Sequence, residues 1–72
     1  MAKIVLNSTP KPISDGTKKV YLTSRAGYFK IIQSQSAPDK TSWHFEQKFF
    51  ADSGKWWAWS DHGEIAADKS EW

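Results

Sequence analysis

Few residues in this sequence are suited to acid–base or nucleophilic chemistry. Cysteine is absent and His44 and His62 are the two imidazoles, so a Ser-His-Asp arrangement would need one of them and a thiol nucleophile is excluded. Asp61-His62-Gly63-Glu64 is the one local cluster of acid–base type. It has no recognised metal-ligand spacing, and a turn at a strand end explains it. We therefore expect no enzymatic activity, no cofactor and no metal.

Aromatic residues are much more abundant in this sequence than residues suited to catalysis. The 72 residues include five Trp, four Phe and two Tyr, and three of the tryptophans lie within Trp56-Trp57-Ala58-Trp59. In an extended chain Trp57 and Trp59 share one face and Trp56 and Ala58 share the other, so both faces are apolar. Such a strand is typical of the inside of a sheet. In a small domain without disulfides, the rings are expected to supply much of the core.

A small sheet that is apolar on both faces cannot bury all of its rings, because a single layer has one core face. Trp and Tyr are also the residues most enriched at the energetic centres of protein interfaces. The leading interpretation is a non-enzymatic protein-binding module, a small inhibitor or adaptor of the kind that phages and mobile elements encode. A strand edge could also pair with a partner or with a second copy of the chain. The predicted partner-binding residues are Tyr21, Tyr28, Phe50, Trp56 and Trp72.

Single-stranded nucleic-acid binding is the alternative. Proteins of this class combine a basic groove with exposed rings on which bases stack. If residues 18–33 form a hairpin, its basic residues alternate with aromatic ones, and Lys19, Tyr21, Tyr28 and Lys30 would share one surface. The predicted nucleic-acid-binding residues are Lys18, Lys19, Arg25 and Lys30.

Carbohydrate binding ranks third. Lys55-Trp56-Trp57 is similar, over these residues alone, to the tryptophan pair of small chitin-binding modules, which implies rings that stack on sugar faces. Those modules are secreted parts of larger enzymes, whereas nothing in this sequence indicates export.

Charge is distributed unevenly along the chain. The net charge is +2, but residues 1–40 carry seven Lys or Arg against two Asp, and residues 41–72 carry three Lys against six Asp or Glu. The two halves either attract each other within the fold or present differently charged surfaces.

The elements that would position these residues are strands. Residues 3–6 form a short apolar run, and alternation predicts one hairpin from residues 18–23 and 28–33 and a second from residues 43–50 and 56–60. Residues 7–12 contain two prolines and should not continue a sheet, and residues 33–42 form the longest polar loop. Residues 63–72 contain good helix formers and favour one or two helical turns.

The prediction is thus one small β-rich domain over residues 1–72. It is an all-β fold with a minor helical part: an antiparallel meander of four or five strands, curled in a barrel-like way, with a short C-terminal helical segment. No apolar run approaches the ~20 residues that span a bilayer, and cysteine is absent. We therefore expect a cytoplasmic protein with no membrane contact and no processed leader.

Overall fold

Alternating apolar and polar residues form strands along most of the chain. The computed structural model describes residues 2–72, and within that range it contains eight strands and no helix. The strands are β1 (Ala2–Leu6), β2 (Lys11–Asp15), β3 (Val20–Ser24), β4 (Phe29–Gln33), β5 (His44–Glu46), β6 (Lys48–Ala51), β7 (Lys55–Trp59) and β8 (Ile65–Glu71). None of the described residues belongs to a helix long and apolar enough to cross a membrane.

The strands form two antiparallel sheets of four strands each. Sheet I has the order β1-β8-β3-β6, and sheet II has the order β2-β7-β4-β5. The predicted all-β antiparallel fold is confirmed, with more strands than the four or five expected. The N-terminal run is one of them, pairing with β8 at the edge of sheet I.

The core lies between the two sheets. Alternate residues of each strand point inward and meet those of the opposite sheet, as in other packed pairs of sheets. Its buried cluster draws on both layers: Leu6, Leu22 and Ala67 from sheet I, and Ile13, Phe29, Ile31 and Ala58 from sheet II. The residues between them in sequence therefore lie on the two outer faces, where a functional surface would be formed.

Both predicted hairpins are wrong. β3 pairs with β6 and β8, whereas β4 pairs with β5 and β7, so the turn between β3 and β4 carries the chain from sheet I to sheet II. β6 and β7 are likewise consecutive strands in different sheets. Turn residues mark where a strand ends, but a connection between two layers has the same local sequence as a hairpin turn.

The predicted C-terminal helical segment is also wrong, because residues 65–71 form β8. This strand lies between β1 and β3 and has a hydrogen-bonded neighbour on each side. Ala67 points inward and is almost fully buried in the core. Two ladders and a core contact outweigh the intrinsic helix propensity of these residues, which is a weak preference.

The proline segment departs from the prediction in one respect. β2 begins at Lys11 and includes Pro12, although residues 7–12 were expected to lie outside any sheet. β2 is an edge strand, and its register with β7 shifts between Pro12 and Ser14. Proline is tolerated at such a position because an edge strand or a bulge does not need every backbone donor.

Candidate functional site

The outer face of sheet I carries a group of aromatic side chains. Tyr21 lies opposite Phe50 on one side and opposite Ser70 on the other, so these residues share a face. Leu22, the next residue along β3, is buried in the core, which places Tyr21 on the outside. Trp72 follows the end of β8, where its backbone and that of Lys19 exchange hydrogen bonds of 2.9 and 3.0 Å.

Tyr21, Phe50 and Trp72 form what we call the aromatic patch. The residues are 36%, 48% and 62% exposed. The ring centroids of Phe50 and Trp72 are 5.8 Å apart at an interplanar angle of 36°, within the range of attractive aromatic pairs. The patch is therefore contiguous, and contiguous exposed apolar surface is typical of an interaction site.

Charged side chains surround the patch on the same face. Lys19 Nζ lies 3.8 Å from Asp52 Oδ1, and both side chains are exposed, so this ion pair contributes little to stability. Further along the face, Lys3 lies opposite Asp68 and Lys48 lies opposite Thr23. Arg25 reaches Asp68 at 3.9 Å. The patch is thus flanked by more cations than carboxylates.

The outer face of sheet II carries a different aromatic cluster, in which Trp43 and Phe45 are 38% and 53% exposed. Trp59 lies opposite Lys30 on this face and is fully buried, because Trp43 packs edge-on against it with ring centroids 6.5 Å apart. The Lys30 ammonium is 4.4 Å from the centroid of the Trp43 ring, a cation–π contact. The Lys30 side chain is only 11% exposed and forms a 2.9 Å ion pair with Asp61.

Asp61 is the centre of this cluster. Lys40 and Lys30 each donate to one of its carboxylate oxygens at 2.9 Å, and the indole N–H of Trp59 donates at 3.1 Å. Hydrogen bonds from Lys40, then Lys30, hold the pKa of the Asp61 carboxyl well below its usual range because they stabilise the ionised form. Lys40 also donates to the Ser8 carbonyl at 2.8 Å, which fixes the loop between β4 and β5 over sheet II.

The acidic cluster at residues 61–64 therefore has a structural role through Asp61. Among residues 2–72, no group of three or more His, Asp or Glu side chains is arranged to hold a metal ion. Asp61 already accepts hydrogen bonds from three side chains, and His62, Gly63 and Glu64 are exposed in the turn before β8.

Three of the five predicted partner-binding residues come together. Tyr21, Phe50 and Trp72 are the aromatic patch, whereas the other two lie elsewhere. Tyr28 is 65% exposed but immediately precedes β4 of sheet II. Trp56 is half-buried against the core, with its ring centroid 4.7 Å from that of Phe49.

The shared surface predicted for Lys19, Tyr21, Tyr28 and Lys30 is wrong, because it depended on the first hairpin. Lys19 and Tyr21 lie on sheet I, whereas Lys30 is enclosed on sheet II. Lys18 lines a separate cleft beside Ile13 and Val20. Arg25 is the one other member of the basic set that reaches sheet I.

The Trp56-Trp57 pair forms no common platform for a sugar. Trp56 packs against the core, while Trp57 lies opposite Ile32 and donates its indole N–H to the Ser34 carbonyl at 3.0 Å. Successive residues of a strand point to opposite faces, as the alternation predicts.

Sequence reasoning missed Lys3 and Lys48 as neighbours of the patch. Alternation places both on polar positions of short strands, but their common face follows from the pairing of β1 with β8 and of β6 with β3. The only available signal was the positive charge itself.

No known protein family, curated protein or solved structure matches this chain. The fold and the surface define a small two-sheet β-domain with aromatic side chains on both outer faces. Sheet I carries the aromatic patch, and the cluster on sheet II is held by the ion pairs of Asp61 with Lys30 and Lys40.

Proposed function

We propose that this protein binds another protein through the outer face of sheet I, and that it acts as a small inhibitor or adaptor. The observation that carries the proposal is the aromatic patch, in which Tyr21, Phe50 and Trp72 remain exposed side by side. Exposed Trp and Tyr side chains contribute strongly to binding when a partner covers them.

The size of the face supports this function. The backbone of the molecule measures 29 × 26 × 15 Å, so a broad face is comparable with the roughly 800 Å² that each partner contributes to a standard interface. A partner on sheet I would meet exposed apolar side chains with charged side chains on either side of them. This arrangement is typical of an interface with an apolar centre and a polar rim.

The dispersal of the predicted nucleic-acid-binding residues favours a protein over a nucleic acid. A single-strand binder needs a basic groove beside the exposed rings on which bases stack. Lys18 instead lines a cleft beside Ile13 and Val20. Lys30, one of the predicted phosphate contacts, is committed to Asp61.

The test compares three immobilised proteins in capture experiments from the source cell or its host: wild type, Phe50→Ser/Trp72→Ser, and the control Tyr28→Ser. Tyr28 is as exposed as Trp72 but lies outside sheet I. We expect a protein that wild type and Tyr28→Ser retain and that the patch variant loses, with recovery reduced at least about tenfold, as for interface centres that contribute 2 kcal/mol or more. Equal recovery by all three proteins would contradict the proposal.

A second copy of the chain is one form that the partner could take. Sedimentation of wild type and of Phe50→Ser/Trp72→Ser over a concentration series detects self-association directly. Dimerisation of wild type alone would identify the partner as another copy of this protein, whereas monomers in both samples leave the partner as a different protein.

A further inference from the structure

The outer face of sheet I carries the excess positive charge of the whole molecule. Its cations outnumber its carboxylates by four to two, and the chain as a whole has a net charge of +2. The remaining charged residues therefore balance. The face contains Lys3, Lys19, Arg25 and Lys48 with Asp52 and Asp68.

Two of these cations form no ion pair in the described residues, although Lys3 lies opposite Asp68 in the register. Within residues 2–72, Lys19 pairs with Asp52 and Arg25 pairs with Asp68, and no carboxylate lies within 4.0 Å of the ammonium of Lys3 or Lys48. Both lysines are exposed. Their positions in the register place them in the cross-strand row formed by Lys3, Asp68, Thr23 and Lys48, adjacent to the row that contains Tyr21 and Phe50.

We infer that the partner of the aromatic patch is an acidic protein surface, in which an apolar group is bordered by Asp or Glu side chains. The inference rests on the proposed function and specifies the chemistry of the partner. Carboxylates that face Lys3 and Lys48 would complement the excess charge, and such complementarity contributes to specificity and to the rate of association. The same charge acts against a second copy, since two such faces would repel each other.

Random copolymers of defined composition serve as probes, because the partner itself is not identified. A glutamate–tyrosine copolymer supplies carboxylates and apolar rings, a lysine–tyrosine copolymer reverses the charge, polyglutamate removes the rings, and oligothymidylate replaces the polypeptide by a nucleic acid. Binding is measured by amide chemical-shift titration, which gives both affinity and location.

We expect the glutamate–tyrosine copolymer to bind best and to shift amides of β3, β6 and β8. The double variant Lys3→Glu/Lys48→Glu should weaken this binding about tenfold or more, because each reversal replaces an attraction by a repulsion. The matched control is Lys11→Glu/Lys55→Glu, which makes the same change of net charge on β2 and β7 of sheet II and should change affinity less than about twofold. Binding by wild type should also weaken with added salt, which screens exposed charges.

Several outcomes overturn the inference. These are the absence of binding, binding that the double variant retains, preference for the lysine–tyrosine copolymer, or shifts confined to sheet II. Tighter binding of oligothymidylate on the same face would overturn the inference and would also contradict the proposal of a protein partner. If the capture experiment finds a partner that requires Phe50 and Trp72 but tolerates Lys3→Glu/Lys48→Glu, the proposed function stands and the inference alone fails.

Discussion

Gly54 is the residue whose replacement should have the clearest steric effect. It has φ of +90°, and a Cβ at this position would overlap the side-chain amide of Gln33. Gly63 is the matched control, since its φ is +96° and nothing lies within 4 Å of the position of its Cβ. Backbone strain in this region costs about 1–2 kcal/mol for an L-residue.

We therefore expect Gly63→Ala to lower the free energy of unfolding by about 1–2 kcal/mol, through backbone strain alone. Gly54→Ala should lower it by about 1 kcal/mol more, because Gln33 must also leave its position, an off-rotamer cost of this order. Urea denaturation measures both. In a Gln33→Ala background, Gly54→Ala and Gly63→Ala should lower the free energy of unfolding by equal amounts. A persistent difference between them would show that Gln33 is not the cause.

Asp61 predicts a specific pH dependence of stability. The pKa of its carboxyl is lower in the folded protein than the ordinary value of 3.8, so the stabilisation is complete above the unfolded pKa and is lost as the pH falls through the folded pKa. Asp61→Asn should destabilise the protein at pH 7, because it leaves the largely buried Lys30 without its counter-charge.

The measurement is the free energy of unfolding of wild type and Asp61→Asn between pH 2 and 7. The difference between the two proteins should be constant above about pH 5 and should shrink below about pH 4, as the wild-type carboxylate becomes protonated in the unfolded state. Asp52→Asn is the control, because Asp52 belongs to an exposed pair at 3.8 Å. A difference that is independent of pH throughout would contradict this role for Asp61.

At the scale of elements, β8 is a strand whose composition favours a helix, so a substitution within it can test which structure the segment adopts. Ser70 lies on the outer face of β8 opposite Tyr21, so Ser70→Val places a β-branched side chain beside a ring on a sheet. We expect the free energy of unfolding to rise by up to about 1 kcal/mol, the span of strand propensities. A helical segment would gain nothing from this change, since Ser and Val have similar helix propensities. Glu64→Val, outside the strands and exposed, should have little effect in the same urea titration.

The strands were predictable where alternation is strong. Tyr21, Leu22 and their neighbours, the β4 run and the tryptophan run of β7 all lie in strands. The pairing of the strands was not predictable. The sequence of a turn such as residues 25–28 is compatible both with a hairpin, in which the two flanking strands pair, and with a connection to a second sheet. The composition of residues 63–72 favours helical turns, and only the two neighbouring strands make residues 65–71 the strand β8.

The candidate site was likewise predictable in its residue types but not in the strand pairing that brings its residues together. Tyr21, Phe50 and Trp72 were selected by residue type, and the register then placed them together. Trp56 was selected for the same reason but faces the core, because alternation alone does not identify the buried face of a strand that is apolar on both sides. Lys3 and Lys48 required a tertiary pairing to become neighbours of the patch.

At the scale of the whole molecule, charge connects the two halves of the chain. Four ion pairs join a cation of residues 1–40 to a carboxylate of residues 41–72: Lys19–Asp52, Arg25–Asp68, Lys30–Asp61 and Lys40–Asp61. The attraction considered from the sequence therefore operates within the fold. It is most developed on sheet II, where both pairs of Asp61 are 2.9 Å long, and weakest beside the aromatic patch, where the charges remain accessible to a partner.

The different burial of individual tryptophans on the two outer faces predicts which of them stabilise the fold. Trp59 is fully buried and Trp72 is 62% exposed, although each belongs to a cluster of aromatic rings. Trp59→Ala should lower the free energy of unfolding by about 3–5 kcal/mol, as for other buried aromatic residues, which is enough to unfold a marginally stable domain. Trp72→Ala should lower it by about 1 kcal/mol or less, because the substitution leaves no buried cavity and removes one aromatic pair.

Chemical denaturation followed by circular dichroism measures both variants without relying on tryptophan emission. If Trp72→Ala unfolds the protein, the patch belongs to the core and its exposure does not indicate a binding surface. If the variant folds with near wild-type stability, the rings of sheet I are dispensable for folding. In that case their exposure is most simply explained by the binding of a partner, since three large aromatic side chains gain little from contact with water.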